Sequence, residues 1–149
     1  MSLRDITLVP ASVPVTATFR EAANVLRESG MPAIAVLGKG GKVEGLFTDV
    51  DLLRGLFPAY LAELKHTAFV PEDEDSLAER ALAAADEPVT EHMGKPQELE
   101  VETSTAHAAE RFLHCEEGAL PVVDENDAFI GMLPRGEFAL AMLRRRTGT

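Results

Sequence analysis

An internal repeat constrains this chain more than any other feature of its sequence. Shifting the sequence by 86 residues aligns Val13–Phe57 with Leu99–Leu143 without a gap, and the hydrophobic pattern agrees throughout. The identical pairs are Val15/Val101, Ala22/Ala108, Ala23/Ala109, Ala33/Ala119, Val36/Val122 and Gly45/Gly131. A copy of this size is too small to bury a core by itself, so the repeat predicts two copies packed together.

Each copy has the pattern of an α+β unit with the order β-α-β-β-α. A short extended segment, Val13–Ala17 or Glu98–Glu102, comes before a helix. Thr18 and Glu21 predict a capping box at the first of these helices, and Ser104 predicts a cap at the other. Two apolar strands joined by a tight turn follow, and a second helix begins near Asp49 or Arg135. The predicted strands are Ala33–Leu37, Val43–Phe47, Ala119–Val123 and Phe129–Leu133.

The segment between the copies is too long for a simple hinge and predicts a helical insert. Tyr60–Phe69 and Ser76–Asp86 both have helical patterns. Ser76 and Glu79 predict a capping box for the second of them, and Pro88 stops it. We therefore divide the chain into repeat 1 at residues 1–57, the insert at 58–88 and repeat 2 at 89–146.

The glycine-rich "GKGGK" (Gly38–Lys42) is the first of two candidate phosphate sites. Its counterpart in the second copy, Asp124–Ala128, shares only turn-forming residues with it. A P-loop would need a glycine at Val36 and a hydroxyl residue at Val43, followed directly by a helix. We interpret "GKGGK" as a hairpin turn.

The second candidate is "GLFTDVD" (Gly45–Asp51), at a predicted strand-to-helix junction. The free amides of a first helical turn and the positive end of its dipole favour a phosphate there. Thr48 brings a hydroxyl, and Asp51 brings a carboxylate that can accept from two ribose hydroxyls. The alternative is that Thr48 is an N-cap and Asp51 a first-turn acid favoured by the dipole.

Several motifs together resemble a tandem pair of CBS (cystathionine-β-synthase) domains, or Bateman module, of the stand-alone type. "ALPVVDENDAFIG" (Ala119–Gly131) is similar to the hairpin of such domains, and "GLFTDVD" fits the family's G-h-x-T/S-x-x-D nucleotide motif. "LRDI" (Leu3–Ile6) and "VTEHM" (Val89–Met93), which we call the arms, resemble the segments that open each domain. The resemblance extends from about Leu3 to Arg146, apart from the insert.

The resemblance implies two repeats packed about a pseudo-twofold axis, with two clefts for adenosine-containing ligands. Asp51 would hold the ribose hydroxyls, while Thr48 and the amides after it would hold the phosphate. Leu46 would contact the base. The other copy would supply the opposite wall, and the predicted ligand-binding residues are Leu46, Thr48, Asp51, Leu99, Gly118 and Ala119.

The second cleft departs from the family pattern. Pro134 replaces the threonine of the motif and Glu137 replaces its aspartate, although Arg135 could supply a charge for a phosphate. Val13 and Met31 would complete this degenerate site, together with Arg135 and Glu137. We expect one good site per chain and one weak or empty one.

Acidic residues limit the ligands expected at the first cleft. Asp49 and Asp51 lie near any phosphate, Glu116 and Glu117 border the opposite wall, and Val50 stands where many relatives carry arginine. Repulsion of about 1 kcal/mol per close exposed pair favours AMP or S-adenosylmethionine over ATP. ATP becomes a candidate if Mg²⁺ bridges it to the acids. No cofactor is required.

Charge and composition exclude several classes of function. The net charge of −11 argues against nucleic acid or an anionic membrane surface as a partner. No apolar run approaches the roughly 20 residues that span a bilayer, so a cytoplasmic location is the default expectation. The single cysteine, Cys115, excludes an internal disulfide and has no neighbour that would lower its thiol pKa. His107 and His114 are too far apart along one helix to chelate a metal, so neither a catalytic set nor a metal site is expected.

Two hypotheses for the function follow. The first is a non-catalytic sensor that binds AMP, ADP, ATP or S-adenosylmethionine and signals by changed packing. The second is a ligand-free scaffold that dimerises or docks to a separate protein. In either case a homodimer is expected, and the signal must pass to an unknown effector protein. The stripe Phe138, Leu140, Ala141 and Leu143 could form the dimer contact or belong to the chain's own core.

Overall fold

The computed structural model of the chain describes residues 2–57 and 74–148. The predicted helix Tyr60–Phe69 lies outside this part. The helices are α1 (Phe19–Ser29), α2 (Asp49–Leu56), α3 (Glu74–Ala85), α4 (Thr105–His114) and α5 (Arg135–Thr147). The strands are β1 (Ser12–Pro14), β2 (Ala33–Leu37), β3 (Val43–Thr48), β4 (Leu99–Glu100), β5 (Ala119–Val123) and β6 (Phe129–Pro134). Short 3₁₀ turns occur at Leu3–Asp5, Lys39–Gly41 and Val89–Glu91.

The predicted β-α-β-β-α order is confirmed in both repeats. Each repeat forms a three-stranded sheet, in the orders β1-β2-β3 and β4-β5-β6. The middle strand is parallel to the first and antiparallel to the third in both sheets. The two hairpins also share an irregularity in strand pairing: the register shifts at Val36/Leu37 in one sheet and at the equivalent Val122/Val123 in the other.

The segment "GKGGK" is a hairpin turn, as predicted. It connects β2 to β3, and Gly40 and Gly41 both have a φ of 75°. Glycine reaches this left-handed region without the steric cost that a Cβ brings. The equivalent turn of repeat 2 uses Asp127 at a φ of 61°, with the Asp124 carboxylate accepting from the amides of Asn126 and Ala128. The two repeats therefore form the same hairpin connection with different residues, glycines in repeat 1 and Asp124 with Asp127 in repeat 2.

The helix starts follow their predicted caps in both repeats but not in the insert. Thr18 and Glu21 form the capping box of α1, and Ser104 accepts from the amide of His107 at the start of α4. The predicted box at Ser76 is wrong, because α3 already begins at Glu74 and Ser76 lies inside it. The local S-x-x-E pattern found the insert helix but placed its cap at a residue that is inside the helix.

The core lies between the two sheets, which pack on each other through β2 and β5. Its largest fully buried side chains include Phe47, Ile34, Leu120 and Leu133. The described part of the insert joins this core, since Ala84 of α3 is 2% exposed. In the described ranges, no helix has the combination of length and apolar character needed to cross a membrane.

The segment that follows each arm pairs with the sheet of the other repeat. The amide of Val9 donates to the carbonyl of Met132 at 2.9 Å, and the amide of Met132 donates to the carbonyl of Val9 at 2.7 Å. Gly94 and Leu46 exchange the same two bonds at 2.8 and 3.3 Å. This exchange follows the predicted pseudo-twofold relation and brings the start of repeat 2 beside "GLFTDVD".

Candidate functional site

Thr48 and Asp51 form a capping box at the start of α2. Thr48 Oγ1 accepts from the Asp51 amide at 3.1 Å. Asp51 Oδ2 accepts in return from the Thr48 amide and from Thr48 Oγ1, each at 3.0 Å. The capping role, which was the alternative to ligand binding for Thr48 and Asp51, is therefore present. A ligand can bind only to the atoms of these residues that the capping box leaves without a hydrogen bond.

The box leaves one oxygen of Asp51 free. Asp51 is 8% exposed and is the one polar or charged residue among those described that is buried. Its Oδ1 lies 3.7 Å from Nη1 of Arg54 and accepts no hydrogen bond from the described residues. Among the side-chain nitrogens and oxygens of the described part, His92 Nε2 is the one that is fully buried and forms no hydrogen bond. Asp51 Oδ1 is therefore still reached by solvent.

Asp51 faces a small cavity between the two repeats. The cavity has a volume of about 140 Å³. Its lining residues are Pro32, Leu46, Thr48, Asp49, Val50, Asp51, Arg54, Gly94, Lys95, Glu116, Glu117 and Gly118. Four of the six predicted ligand-binding residues are therefore brought together here: Leu46, Thr48, Asp51 and Gly118. We call this cavity the Asp51 cleft.

The other two predicted residues do not line the Asp51 cleft. Leu99 lies in β4 and is 1% exposed, and Ala119 begins β5 with no exposure. Both belong to the buried core. The sequence shows that these apolar residues lie in strands near the cleft. It does not show whether their side chains face the cleft or the core.

Sequence reasoning did not find the two basic residues of the Asp51 cleft. Arg54 lies one turn after Asp51 on α2, and Lys95 follows the arm of repeat 2. Lys95 forms no ion pair with any residue in the described part of the chain. These two cations face four acids, Asp49, Asp51, Glu116 and Glu117, so the lining remains acidic overall. The signal for Lys95 was its position directly after "VTEHMG".

The first-turn amides are partly in use. The amide of Asp49 donates to the carbonyl of Pro32 at 3.0 Å, and that of Asp51 donates to Thr48 Oγ1. The predicted phosphate contacts from Thr48 and the amides after it would therefore compete with bonds already formed.

A larger cavity adjoins the Asp51 cleft. Its volume is about 560 Å³, and Asp51, Arg54 and Gly94 line both spaces. The rest of its wall is formed by Gly55, by residues of α3 such as Ala84, by Glu87, and by residues of the arm of repeat 2 such as His92. The Asp51 side chain therefore stands at the boundary between the two cavities.

The residues predicted for the second cleft are not gathered in the same way. Pro134 caps α5 without a side-chain bond, in contrast to Thr48. The guanidinium of Arg135 donates to the Glu117 carbonyl at 3.3 Å and lines a groove beside α4 and α5. Val13 is 5% exposed within β1, Met31 is half-buried and Glu137 is exposed.

Comparisons with known sequences identify the repeated unit. A family model described as the CBS domain matches residues 3–57 and 89–144. A curated relative, the meiotically up-regulated gene 70 protein of Schizosaccharomyces pombe, is 30% identical over 145 residues, or 95% of this chain and 17% of that protein. The chain thus spans less than a fifth of the length of the curated relative it matches.

Solved structures show the same fold. The CBS-pair protein CBSX2 of Arabidopsis thaliana has a TM-score of 0.72 at 22% identity, covering 97% of this chain and 96% of that one. A structure of CBSX2 in complex with AMP has a TM-score of 0.68 at 21% identity, covering 97% and 98%. A CBS domain pair/ACT domain protein of Thermotoga maritima has a TM-score of 0.68 at 22% identity, covering 97% and 98%. The chain contains a tandem pair of CBS domains and belongs to the CBS domain family.

Proposed function

We propose that the CBS pair is a non-catalytic regulatory module that binds an adenosine-containing ligand in the Asp51 cleft. The candidate ligands are AMP, ADP, ATP and S-adenosylmethionine. One observation carries the proposal: Asp51 is buried, its orientation is fixed by Thr48, and its Oδ1 is left without a hydrogen bond in the described part of the chain. Asp51 Oδ1 is thus held in a fixed position, is reached by solvent and is available to accept a hydrogen bond from a ligand hydroxyl.

The lining of the cleft offers a distinct contact for each part of such a ligand. Asp51 Oδ1 accepts from the ribose hydroxyls, and Leu46 and Pro32 supply apolar surface for the base. Lys95 supplies the positive charge for a phosphate, since the Thr48 hydroxyl and two amides are already bonded. The complex of the relative CBSX2 with AMP supports this class of ligand.

The charge of the cleft selects among the candidates. Two cations face four acids, and each close exposed pair of like charges costs about 1 kcal/mol. A ligand with one phosphate or with a sulfonium meets less repulsion than one with three phosphates. The order of affinity we propose is AMP or S-adenosylmethionine above ADP and ADP above ATP, with Mg²⁺ raising the affinity for ATP.

The size of the cleft suggests how a signal would arise. Its volume of about 140 Å³ lies below the roughly 300–1,000 Å³ typical of small-molecule sites. A nucleotide must therefore widen the cleft or extend past Asp51 into the adjoining cavity of about 560 Å³. Widening the cleft would move Gly94 and Lys95 relative to α2, which would alter the packing of the two repeats.

The same small volume favours a second candidate function. A pair whose cleft stays closed would act as a ligand-free scaffold that docks to a separate protein. In both cases we propose a homodimer formed through α4 and α5, in the cytoplasm. Leu113 and Leu143, which are 81% and 56% exposed, line a groove of about 480 Å³, and Leu140 of α5 is 44% exposed outside that lining. Phe138, predicted for the same stripe, is 5% exposed and packs against Phe112 in the core.

Thermal unfolding with candidate ligands tests the proposal. The wild type is melted with AMP, ADP, ATP with and without Mg²⁺, NADH and S-adenosylmethionine. A ligand at 100 times its dissociation constant adds about 2.7 kcal/mol, or several degrees. The matched variants are Asp51→Ala and Glu21→Ala, since Glu21 has the same capping role in α1 away from the cleft.

The two variants separate a lost binding site from a lost cap. We expect both to melt earlier than the wild type, but only Asp51→Ala to lose the ligand-induced shift. A shift that persists in Asp51→Ala places the ligand elsewhere. If none of the ligands shifts the wild type, the module acts as the scaffold.

A further inference from the structure

We propose that Glu87, Glu91 and His92 form a binding site for a divalent transition-metal cation of the Zn²⁺ class. One ligand atom from each of these three side chains lies within 4.8 Å of the other two. The site lies outside the Asp51 cleft, on the wall of the adjoining cavity. It does not depend on whether a nucleotide binds.

The strongest observation is the state of the His92 ring. Its Nε2 is buried and has no hydrogen-bond partner in the described part of the chain. A buried polar nitrogen without a partner costs about 1–3 kcal/mol, so its presence in a folded chain requires an explanation. A bound cation would give the lone pair of this nitrogen a partner.

The distance from His92 Nε2 to Glu87 Oε1 fits a shared ion better than a direct bond. The two atoms are 3.4 Å apart. A good N–H···O bond is about 2.9–3.0 Å long. Two atoms that each bind one Zn²⁺ at about 2.0–2.1 Å, with a tetrahedral angle between them, lie about 3.4 Å apart. The present separation therefore requires little movement of either side chain.

The backbone holds the three residues in place. The carbonyl of Glu87 accepts from the Phe19 amide at 2.9 Å, and the amide of Glu87 donates to Ala84 at 3.0 Å. Glu91 and His92 end the turn that begins at Val89. The ring of Phe19 lies 4.6 Å from that of His92, so the imidazole is packed on one side. The backbone and the imidazole ring are therefore held in place before binding, while the more exposed carboxylates of Glu87 and Glu91 would be ordered by the ion.

The ligand set indicates which cation fits. One imidazole nitrogen with two carboxylates suits Zn²⁺ and similar ions, whereas Mg²⁺ and Ca²⁺ prefer oxygen ligands alone. Three protein ligands leave a fourth position open to the adjoining cavity for water. Arg54 and Arg80 line the same cavity and oppose a cation, while Asp51 favours it. The site is therefore expected to bind more weakly than a closed structural zinc site.

Equilibrium dialysis of the full chain against Zn²⁺ tests the proposal, with no nucleotide present and after removal of metal by a chelator. We expect about one ion per chain in the wild type, displaced little by excess Mg²⁺. His92→Phe keeps a ring against Phe19 and removes both nitrogens, and Glu87→Gln keeps the shape and removes the charge. Each variant should weaken zinc binding at least tenfold, and circular dichroism checks that each is folded.

A second histidine provides the matched control. His107 Nδ1 lies 3.8 Å from Glu110 Oε2 on the exposed side of α4, without a third ligand. His107→Ala should bind zinc as the wild type does. The proposal is wrong if the wild type retains no zinc, or if His92→Phe or Glu87→Gln retains as much as the wild type. Glu87 and His92 would then form an ion pair alone.

Discussion

Thr48 and Asp51 bond to each other in both directions across the start of α2. The Asp51 carboxylate accepts from the amide and hydroxyl of Thr48, and the hydroxyl accepts from the Asp51 amide. The arrangement satisfies amides that the helix itself leaves unpaired. It also fixes the Asp51 side chain so that its second oxygen faces the cleft. A structural cap and a ligand contact are therefore compatible roles for one carboxylate.

Removing the cap of α2 should destabilise the fold by a predictable amount. Thr48→Ala leaves the Asp51 amide without its acceptor and should cost about 0.5–2 kcal/mol in the free energy of unfolding. Urea denaturation measures this value. Thr18→Ala removes the equivalent cap of α1 and should cost a similar amount, so a difference of several kcal/mol between the two would contradict this account.

Substitution by alanine at two helical glycines should change the free energy of unfolding in opposite directions. A Cβ at Gly55 would lie 2.5 Å from the ring of Phe19, which is 2% exposed and also packs against Phe47 and His92. We expect Gly55→Ala to lower the free energy of unfolding by about 1–3 kcal/mol through overpacking.

Gly136 is the matched control, because a Cβ there meets no atom within 4 Å. Gly136→Ala should be neutral or stabilise α5 by up to about 1 kcal/mol. Urea denaturation of both variants measures the signs. Equal stabilisation by the two substitutions would show that α2 is not held tightly against the Phe19 ring.

If an anionic nucleotide binds in the Asp51 cleft, Lys95 should contribute to its affinity. Lys95→Ala should raise the dissociation constant of AMP five- to thirtyfold, which corresponds to about 1–2 kcal/mol. Isothermal titration calorimetry at two salt concentrations measures the loss of affinity for AMP and how far salt screens the contribution of Lys95. Lys42→Ala, in the exposed hairpin turn, is the control and should leave the affinity unchanged. Equal affinities for AMP in all three proteins would remove Lys95 from the site.

The thiol of Cys115 should be slow to alkylate at neutral pH. Burial raises its pKa above the ordinary value for a thiol, and the nearby Glu117 carboxylate raises it further. Since the thiolate is the reactive form, the folded protein contains less of it at pH 8 than the urea-unfolded chain does. The rate of alkylation by iodoacetamide should therefore rise with pH along a curve that is displaced to higher pH than the curve of the unfolded chain. Coincident curves would contradict the raised pKa.

The exposed leucines of α5 provide a test of self-association. Leu143→Glu should shift the protein toward a smaller species in analytical ultracentrifugation, because a carboxylate is costly to bury in an apolar contact. Leu82→Glu, at a position of α3 that is 68% exposed, is the matched control. An unchanged sedimentation coefficient for Leu143→Glu would place any dimer contact elsewhere.

The sequence by itself determined the features that depend on residues close together in the chain. The repeat predicted two β-α-β-β-α units, the T-x-x-E spacing predicted the capping box at Thr18, and Thr48 was recognised as a possible N-cap. Turn-forming residues identified "GKGGK" as a hairpin turn. Caps, turns and strand alternation arise from contacts within a few residues, so the sequence shows them directly.

The tertiary structure alone decided which residues meet in the Asp51 cleft. The bonds between Gly94 and Leu46 carry the arm of repeat 2 to the sheet of repeat 1, which places Lys95 opposite Asp51. Packing also turned Leu99 into the core and His92 toward Glu87. These contacts join residues that are distant in the chain, and no local pattern of hydrophobicity or spacing records which distant surfaces will be buried against each other.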